Sequence, residues 1–444
     1  MAPKRTTPSK DPCRLPASGL AIGLAIGLAL ALALAAGGCS YSLVAGDQLR
    51  REPFDEVAAR TARARGIEPQ GELRAQVLDQ AEIREVLRET VEEEWPAEAI
   101  RAYEAALVAL GLWPRDRDLA ETFLDVMSQE LLGVYVPGQN TLYVVSDIAP
   151  PPFWFRAISS MHRRDYYREA ILAHEIVHLL QHQRYPELVE LGDMAHHNDD
   201  LVGAVQAALE GDATRYGLAA MELGRPIPQP DSYTDTLHSE LESREGSALA
   251  DAPAIIRLTL TYPYVRGYRL AYEEGLELLD DPPASTEQVL HADKRREAFT
   301  AIDLGGPHAA LPPGCEFAHE NSMGELNLSV LFSDLGNAAD AEVWQGWDGD
   351  RYLVARCNDR LEFFWLSQWD SRSDAMEFEE AYGAIAPAVA QRAGHAAPPV
   401  ARRVERQVVV TTQGLAELVE ALSSGARRQS VTSFDDYVDW WSSR

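Results

Sequence analysis

The sequence predicts an α+β protein in two lobes, and three patterns carry that reading. Apolar residues recur at roughly helical spacing through residues 72–133. The period shifts to strand–turn–strand at 133–145. From about residue 305, short β-rich runs alternate with helical stretches. A helical domain over 71–304, holding one small antiparallel hairpin, is therefore expected ahead of a C-terminal α+β lobe over 305–444.

Each element has its own signal. Leu73, Val77, Ile83, Val86, Leu87 and Val91 mark the first helical stretch. Pro96 can open the next helix, and Gly111 closes it before Trp113-Pro114. Asp116 or Asp118 can cap a third helix ending at Gly133. Residues 133–136, the turn 137–140 and residues 141–145 form the hairpin, and an edge strand there could hold an extended peptide. A helix is expected over 167–184, stopped ahead of Pro186, and another from Asn198 or Asp199. In the last third, 326–332, 351–356, 361–365 and 407–411 read as strands, with helices at 373–382 and 415–422. Trp344, Trp347, Trp365 and Trp369 read as core residues.

The first forty residues read as an address. Lys4, Arg5, Lys10 and Arg14 precede a continuous apolar run over 19–36, which ends in Ala35-Ala36-Gly37-Gly38-Cys39. This resembles a bacterial lipoprotein signal spanning 1–38, with Cys39 lipidated as the mature N-terminus. Ala36 departs from the pattern, standing where Leu is commonest. An uncleaved transmembrane anchor is the alternative, and both readings put residues 41–444 outside the cytoplasmic membrane. Ser40 favours outer-membrane sorting where an outer membrane exists, and residues 39–70 are expected to act as a tether.

At 444 residues the chain can bury a substantial core. Its 40 Lys and Arg against 69 Asp and Glu give a net charge of −29, which repels phosphate backbones and argues against nucleic acid as a partner. With Cys13 in the signal and Cys39 lipidated, Cys315 and Cys357 remain, and an oxidising compartment would pair them. Two free thiols are the alternative.

The chemistry concentrates at His174-Glu175-Ile176-Val177-His178, inside an apolar run. On a helix, His174 and His178 share a face one turn apart, so both imidazoles can reach one ion. Glu175 then projects beside the pair as a base for the water that such an ion activates. A third ligand is needed. His182 is eight residues from His174, about 12 Å along the axis, too far to share an ion. His196 or His197 could swing in from a polar loop. Glu210 lies on a helical face otherwise made of Gly203, Ala207, Thr214 and Gly217, which lets one helix approach another and deliver a short acidic arm.

His-Glu-x-x-His followed on a later helix by Glu resembles the gluzincin metallopeptidases. The stretches 208–214, 263–267, 283–291 and 346–352 are similar to a poorly characterised bacterial branch. The resemblance runs from about residue 100 onward. It implies a zincin-like domain, Zn2+ held by His174, His178 and Glu210, and Glu175 as general base acting on a peptide or protein substrate. His291 and Tyr264, each within a resembling stretch, are candidates for stabilising an oxyanion. The N-E-x-x-S-D motif of thermolysin-like enzymes is absent, which leaves Asp212 as a candidate partner for the histidines. The expected activity is metal-dependent peptide hydrolysis at a bacterial cell envelope. The rival is a non-catalytic envelope lipoprotein that uses the same fold for binding.

Overall fold

The computed structural model describes residues 42–148, 151, 153–224, 226–243, 246–306, 311–336 and 342–444. The signal segment and Cys39 lie outside the described residues. Among those described, no helix is long and apolar enough to cross a membrane. The fold is α+β, as expected.

Helix α1 (Arg51–Arg65) ends at Gly66, whose φ of 76° is the left-handed cap that glycine adopts without strain. It overturns the reading of 39–70 as a tether. Phe54, Val57, Ala58 and Ala62 form one buried stripe that packs with Leu172, Ala173 and Ile176. The Arg- and Glu-rich outer face masks that stripe in the sequence. Even the chain ahead of α1 is fixed, because Ser42 Oγ and Leu43 N both donate to Asp165.

Strand β1 (Arg74–Leu78) corrects the all-helical reading of 72–133. Helices α2 (Gln80–Glu94), α3 (Ala97–Ala109) and α4 (Leu119–Glu130) follow. Asp79 and Glu82 form a reciprocal capping box on α2, and Asp118 caps α4. Strands β2 (Gly133–Val136) and β3 (Thr141–Val145) make the expected antiparallel hairpin. The β1 strand joins β3 in parallel, Arg74 opposite Thr141, giving the order β1-β3-β2. A partner arriving so late in the chain leaves no local signal, so Leu73 and Val77 looked helical.

Two long helices follow: α5 (Tyr166–Arg184) and α6 (Asp199–Ala220), the latter capped by Asn198. Helix α7 (Ala254–Tyr262) leads into a wide turn at Pro263–Gly267 and α8 (Tyr268–Glu274), and the turn and α8 pack on α6. Glycines allow the approach: a Cβ on Gly211 would collide with the Gly267 carbonyl, and one on Gly217 would come within 3.2 Å of the His174 backbone nitrogen.

The C-terminal lobe holds β4 (Phe299–Asp303), β5 (Cys315–Asn321), α9 (Gly324–Leu335), β6 (Trp347–Cys357), β7 (Arg360–Trp369), α10 (Arg372–Ala393), β8 (Val400–Val404), β9 (Gln407–Thr411), β10 (Arg427–Val431) and α11 (Phe434–Ser442). Five strands form an antiparallel sheet in the order β8-β9-β7-β6-β5, and β4 pairs separately with β10. The β4–β10 pair crosses the expected 304/305 boundary. Residues 326–332, expected as a strand, belong to α9. The apolar–polar alternation Leu326-Asn327-Leu328-Ser329-Val330 reads as a strand, yet the Asp350 carboxylate favours the helix by accepting from the backbone of Met323 and Gly324 at its start. Cys315 and Cys357 are joined by a disulfide across β5 and β6. Trp347, Trp365 and Trp369 are fully buried, while Trp344 is partly buried against the same core. Helix α3 packs on β5 and β7, so the two lobes share a continuous interior.

Candidate metal centre

Helix α5 places His174 and His178 one turn apart on its buried face, and α6 brings Glu210 opposite them. His174 Nε2 lies 3.0 Å from His178 Nε2 and 3.1 Å from Glu210 Oε2, and His178 Nε2 lies 3.4 Å from that same oxygen. Each of the three residues thus offers one ligand atom, all within 4.8 Å of one another and all buried. Two imidazole nitrogens and a carboxylate oxygen are the donor set that catalytic zinc takes.

The electrostatics fit a cation. Burial works against charge on Glu210, yet His178 and His174 outweigh it and hold the carboxyl at about 2. Burial likewise opposes a proton on His178, but the Glu210 carboxylate lifts its pKa to about 9. Desolvation keeps His174 below its ordinary value. The trio therefore holds one buried negative charge whose partner is either a proton on His178 or a metal ion.

Glu175, beside His174 on α5, meets β2. Its Oε2 accepts from Tyr135 N at 3.0 Å, whereas its Oε1 is buried without a hydrogen-bond partner. Burial pushes this carboxyl up to about 8. Gly133 permits the crossing, since a Cβ there would press on Ile171 and come within 3.3 Å of the Glu175 side chain. β2 is the sheet edge expected to receive a peptide, and its outward Tyr135 N–H is spent on Glu175.

Behind the ligands runs a chain of polar contacts. His178 Nδ1 is 2.8 Å from Gln181 Oε1, and Gln181 Nε2 donates to Asp212 Oδ2 at 2.9 Å and to the Leu209 carbonyl at 2.9 Å. Arg65 Nε donates to Asp212 Oδ2 at 2.8 Å, with its guanidinium 5.1 Å from the centre of the Tyr216 ring. Asp212, the expected partner of the histidines, thus acts through Gln181. Gln181 itself was missed, although a polar residue three positions after a ligand histidine, amid Leu179 and Leu180, was the available signal. Arg65 had none, being 147 residues from its partner.

Tyr264 comes from the turn at Pro263–Gly267. Its ring stacks on His174, with centroids 6.1 Å apart, and its buried hydroxyl has no hydrogen bond of good geometry. Burial, with the Glu210 and Glu175 carboxylates, keeps that hydroxyl protonated. His291 pairs with another carboxylate, its Nε2 lying 2.7 Å from Glu325 Oε1. His182 is a helix-end polar residue held by the Tyr135 hydroxyl and Glu190. His196 packs edge-on to Trp95, and His197 contacts the Glu320 carbonyl, so neither joins the trio.

A cavity of about 310 Å³ opens beside these groups, with His178, Glu210 and Tyr264 in its wall. Residues 315–432, within the C-terminal lobe, match a family described as Domain of unknown function (DUF8575). No curated protein and no solved structure matches the chain.

Proposed function

We propose that the chain is a zincin-like, zinc-dependent peptidase that hydrolyses peptide bonds at a bacterial cell envelope, held there by lipid on Cys39. The observation that carries the chemistry is the convergence of His174, His178 and Glu210 on one point, with a partnerless Glu175 Oε1 on the adjoining residue. The envelope location rests on residues 1–39 of the sequence alone. A zinc ion held by the trio would supply Lewis acidity and lower the pKa of water toward neutrality.

The chain's own residues do the rest. The Tyr135 N–H anchors Glu175 Oε2, which leaves Oε1 to take a proton from water and return it to the leaving amine. A base whose pKa is lifted by burial suits that exchange near neutral pH. Tyr264 keeps its proton and donates its hydroxyl toward the developing oxyanion.

Zinc stoichiometry and peptide cleavage, measured on the soluble form beginning after Cys39, test the reading together. One zinc per chain is expected in wild type and in Glu175→Gln, with cleavage falling by about 10²–10⁴-fold in the variant. Glu210→Ala should lose the metal. A wild type that holds zinc yet cleaves no member of a peptide library would support the binding protein instead.

A further inference from the structure

We infer that one corner of the fold, built around Met161 and the start of α5, docks on an anionic phospholipid surface. This rests on the envelope reading, which puts a lipid on Cys39, and adds the face that meets the membrane. Ser42 Oγ and Leu43 N donate to Asp165 Oδ2 at 2.9 and 3.0 Å, which fixes the start of the described chain beside α5. Ser42 is three residues beyond Cys39, and at ~3.5 Å per residue that length reaches about 10 Å at most. A lipid on Cys39 therefore holds the Asp165 corner close to the headgroups.

The surface at that corner has the chemistry of an interfacial contact. The helix Phe153–His162 lies just ahead of Asp165, and its sequence opens Phe-Trp-Phe. Its Met161 is 70% exposed, and Leu223, just past the end of α6, is exposed as well. Arg164 ties the two segments together by donating to the Met221 carbonyl at 3.1 Å. Met161 and Leu223 are two of the six large apolar side chains left exposed among the described residues, so this corner concentrates them. Charge points the same way. Residues 156–168 hold Arg156, Arg163, Arg164 and Arg168 against Asp165 alone, in a chain whose net charge is −29. The neighbouring Glu169 pairs with Arg60 and Arg164, and Glu222 pairs with Arg63. An anionic leaflet within reach of the tether suits both the arginines and the apolar side chains.

Two readouts test this. The first uses the mature chain extracted from membranes, with intact mass reporting the lipid on Cys39 and with Met161→Cys labelled by bimane. In vesicles of phosphatidylethanolamine and phosphatidylglycerol, its emission should shift to the blue and be quenched by doxyl-labelled lipid. Bimane on Met376→Cys, 49% exposed on α10 in the other lobe, should show neither change. The second readout is sedimentation of the soluble form beginning after Cys39 with the same vesicles and with phosphatidylcholine alone. Binding is expected to the anionic vesicles only. Each arginine near such a surface strengthens binding roughly fivefold, so Arg156→Gln with Arg163→Gln should weaken it about 25-fold. Both residues are exposed, so the urea midpoint should hold. Met161→Asp is the second variant should the pair fail to fold.

A lipidated chain whose label at 161 ignores the vesicles, or equal responses at 161 and 376, overturns the docking face and leaves the anchor standing. Vesicle binding indifferent to both variants overturns the corner as the point of contact. Anionic binding by the soluble form, with no lipid found on Cys39, removes the anchor and supports the corner. A blue shift that grows with protein concentration in the absence of vesicles assigns the corner to a second copy of the chain and overturns the lipid. Neither readout involves peptide cleavage, so the peptidase reading stands or falls separately.

Discussion

Two buried carboxylates, one in each lobe, are held in opposite ways. Asp212 in α6 faces a cation: Arg65 and Gln181 both donate to its Oδ2, and its Oδ1 has no hydrogen-bond partner. Asp350 in β6 is held by neutral donors. Met323 N and Trp365 Nε1 reach its Oδ2 at 2.9 Å, and Gly324 N and Trp347 Nε1 reach its Oδ1 at 2.9 and 3.1 Å. Burial pushes both carboxyls toward the neutral form, and the partners oppose it in each case. Four neutral N–H groups fix the start of α9 against two strands, which is a purely architectural task. A single guanidinium leaves half of Asp212 unused and transmits the position of α1 through Gln181 to His178. The difference teaches that the N-terminal helix belongs to the site, whereas the Asp350 node belongs to the frame.

Breaking the frame should cost most. Asp350→Ala strands four buried donors, each worth about 1–3 kcal/mol when left unsatisfied, so a loss on the order of 5 kcal/mol is expected in urea unfolding. Zinc affinity of the molecules that remain folded should hold within about threefold, because nothing in that node touches the trio. Arg65→Met should cost somewhat less in stability, about 3–4 kcal/mol, by leaving Asp212 buried without its cation. Its diagnostic effect is on the metal. The zinc Kd should rise about 10–100-fold, the usual penalty for losing a group that orients a ligand. Equal zinc affinities in the two variants would erase the distinction drawn between the lobes.

What the sequence disclosed follows from how local each feature is. His174, Glu175 and His178 sit within five residues and one helix, so spacing alone placed them, and α6 was legible from Asn198 and its small-residue face. The caps at Asp79 and Asp118 are equally local, and the second was anticipated. What stayed hidden depends on distant partners. β1 needs β3, α1 shows its apolar stripe only against α5 and α6, and Arg65 meets Asp212 across the fold. His291 had a suggestive neighbourhood in the sequence, but its contact with Glu325 is a tertiary fact. The 326–332 run became a helix because a carboxylate from another strand caps it.

Glu94 extends the comparison to a carboxylate with neither kind of partner. Its Oε2 is buried at the end of α2 without a hydrogen bond, next to Trp95 in the cavity wall. Burial, reinforced by Glu93 and Glu190, pushes its pKa up to about 8. In the unfolded chain the same carboxyl titrates near ~4.3. Between those values the folded state binds the extra proton, so stability falls as pH rises through the window, and the penalty is complete above about 8. Gln cannot ionise and escapes it. Glu94→Gln should therefore match wild type near pH 4 and exceed it by on the order of 1 kcal/mol at pH 8.5, a modest value because the side chain is only partly buried. Urea unfolding at pH 4, 6 and 8.5 reads the difference directly. A gap that stays constant across those pH values would mean that Glu94 carries its charge in the fold, and that a carboxylate can be buried here with neither a cation nor a set of donors.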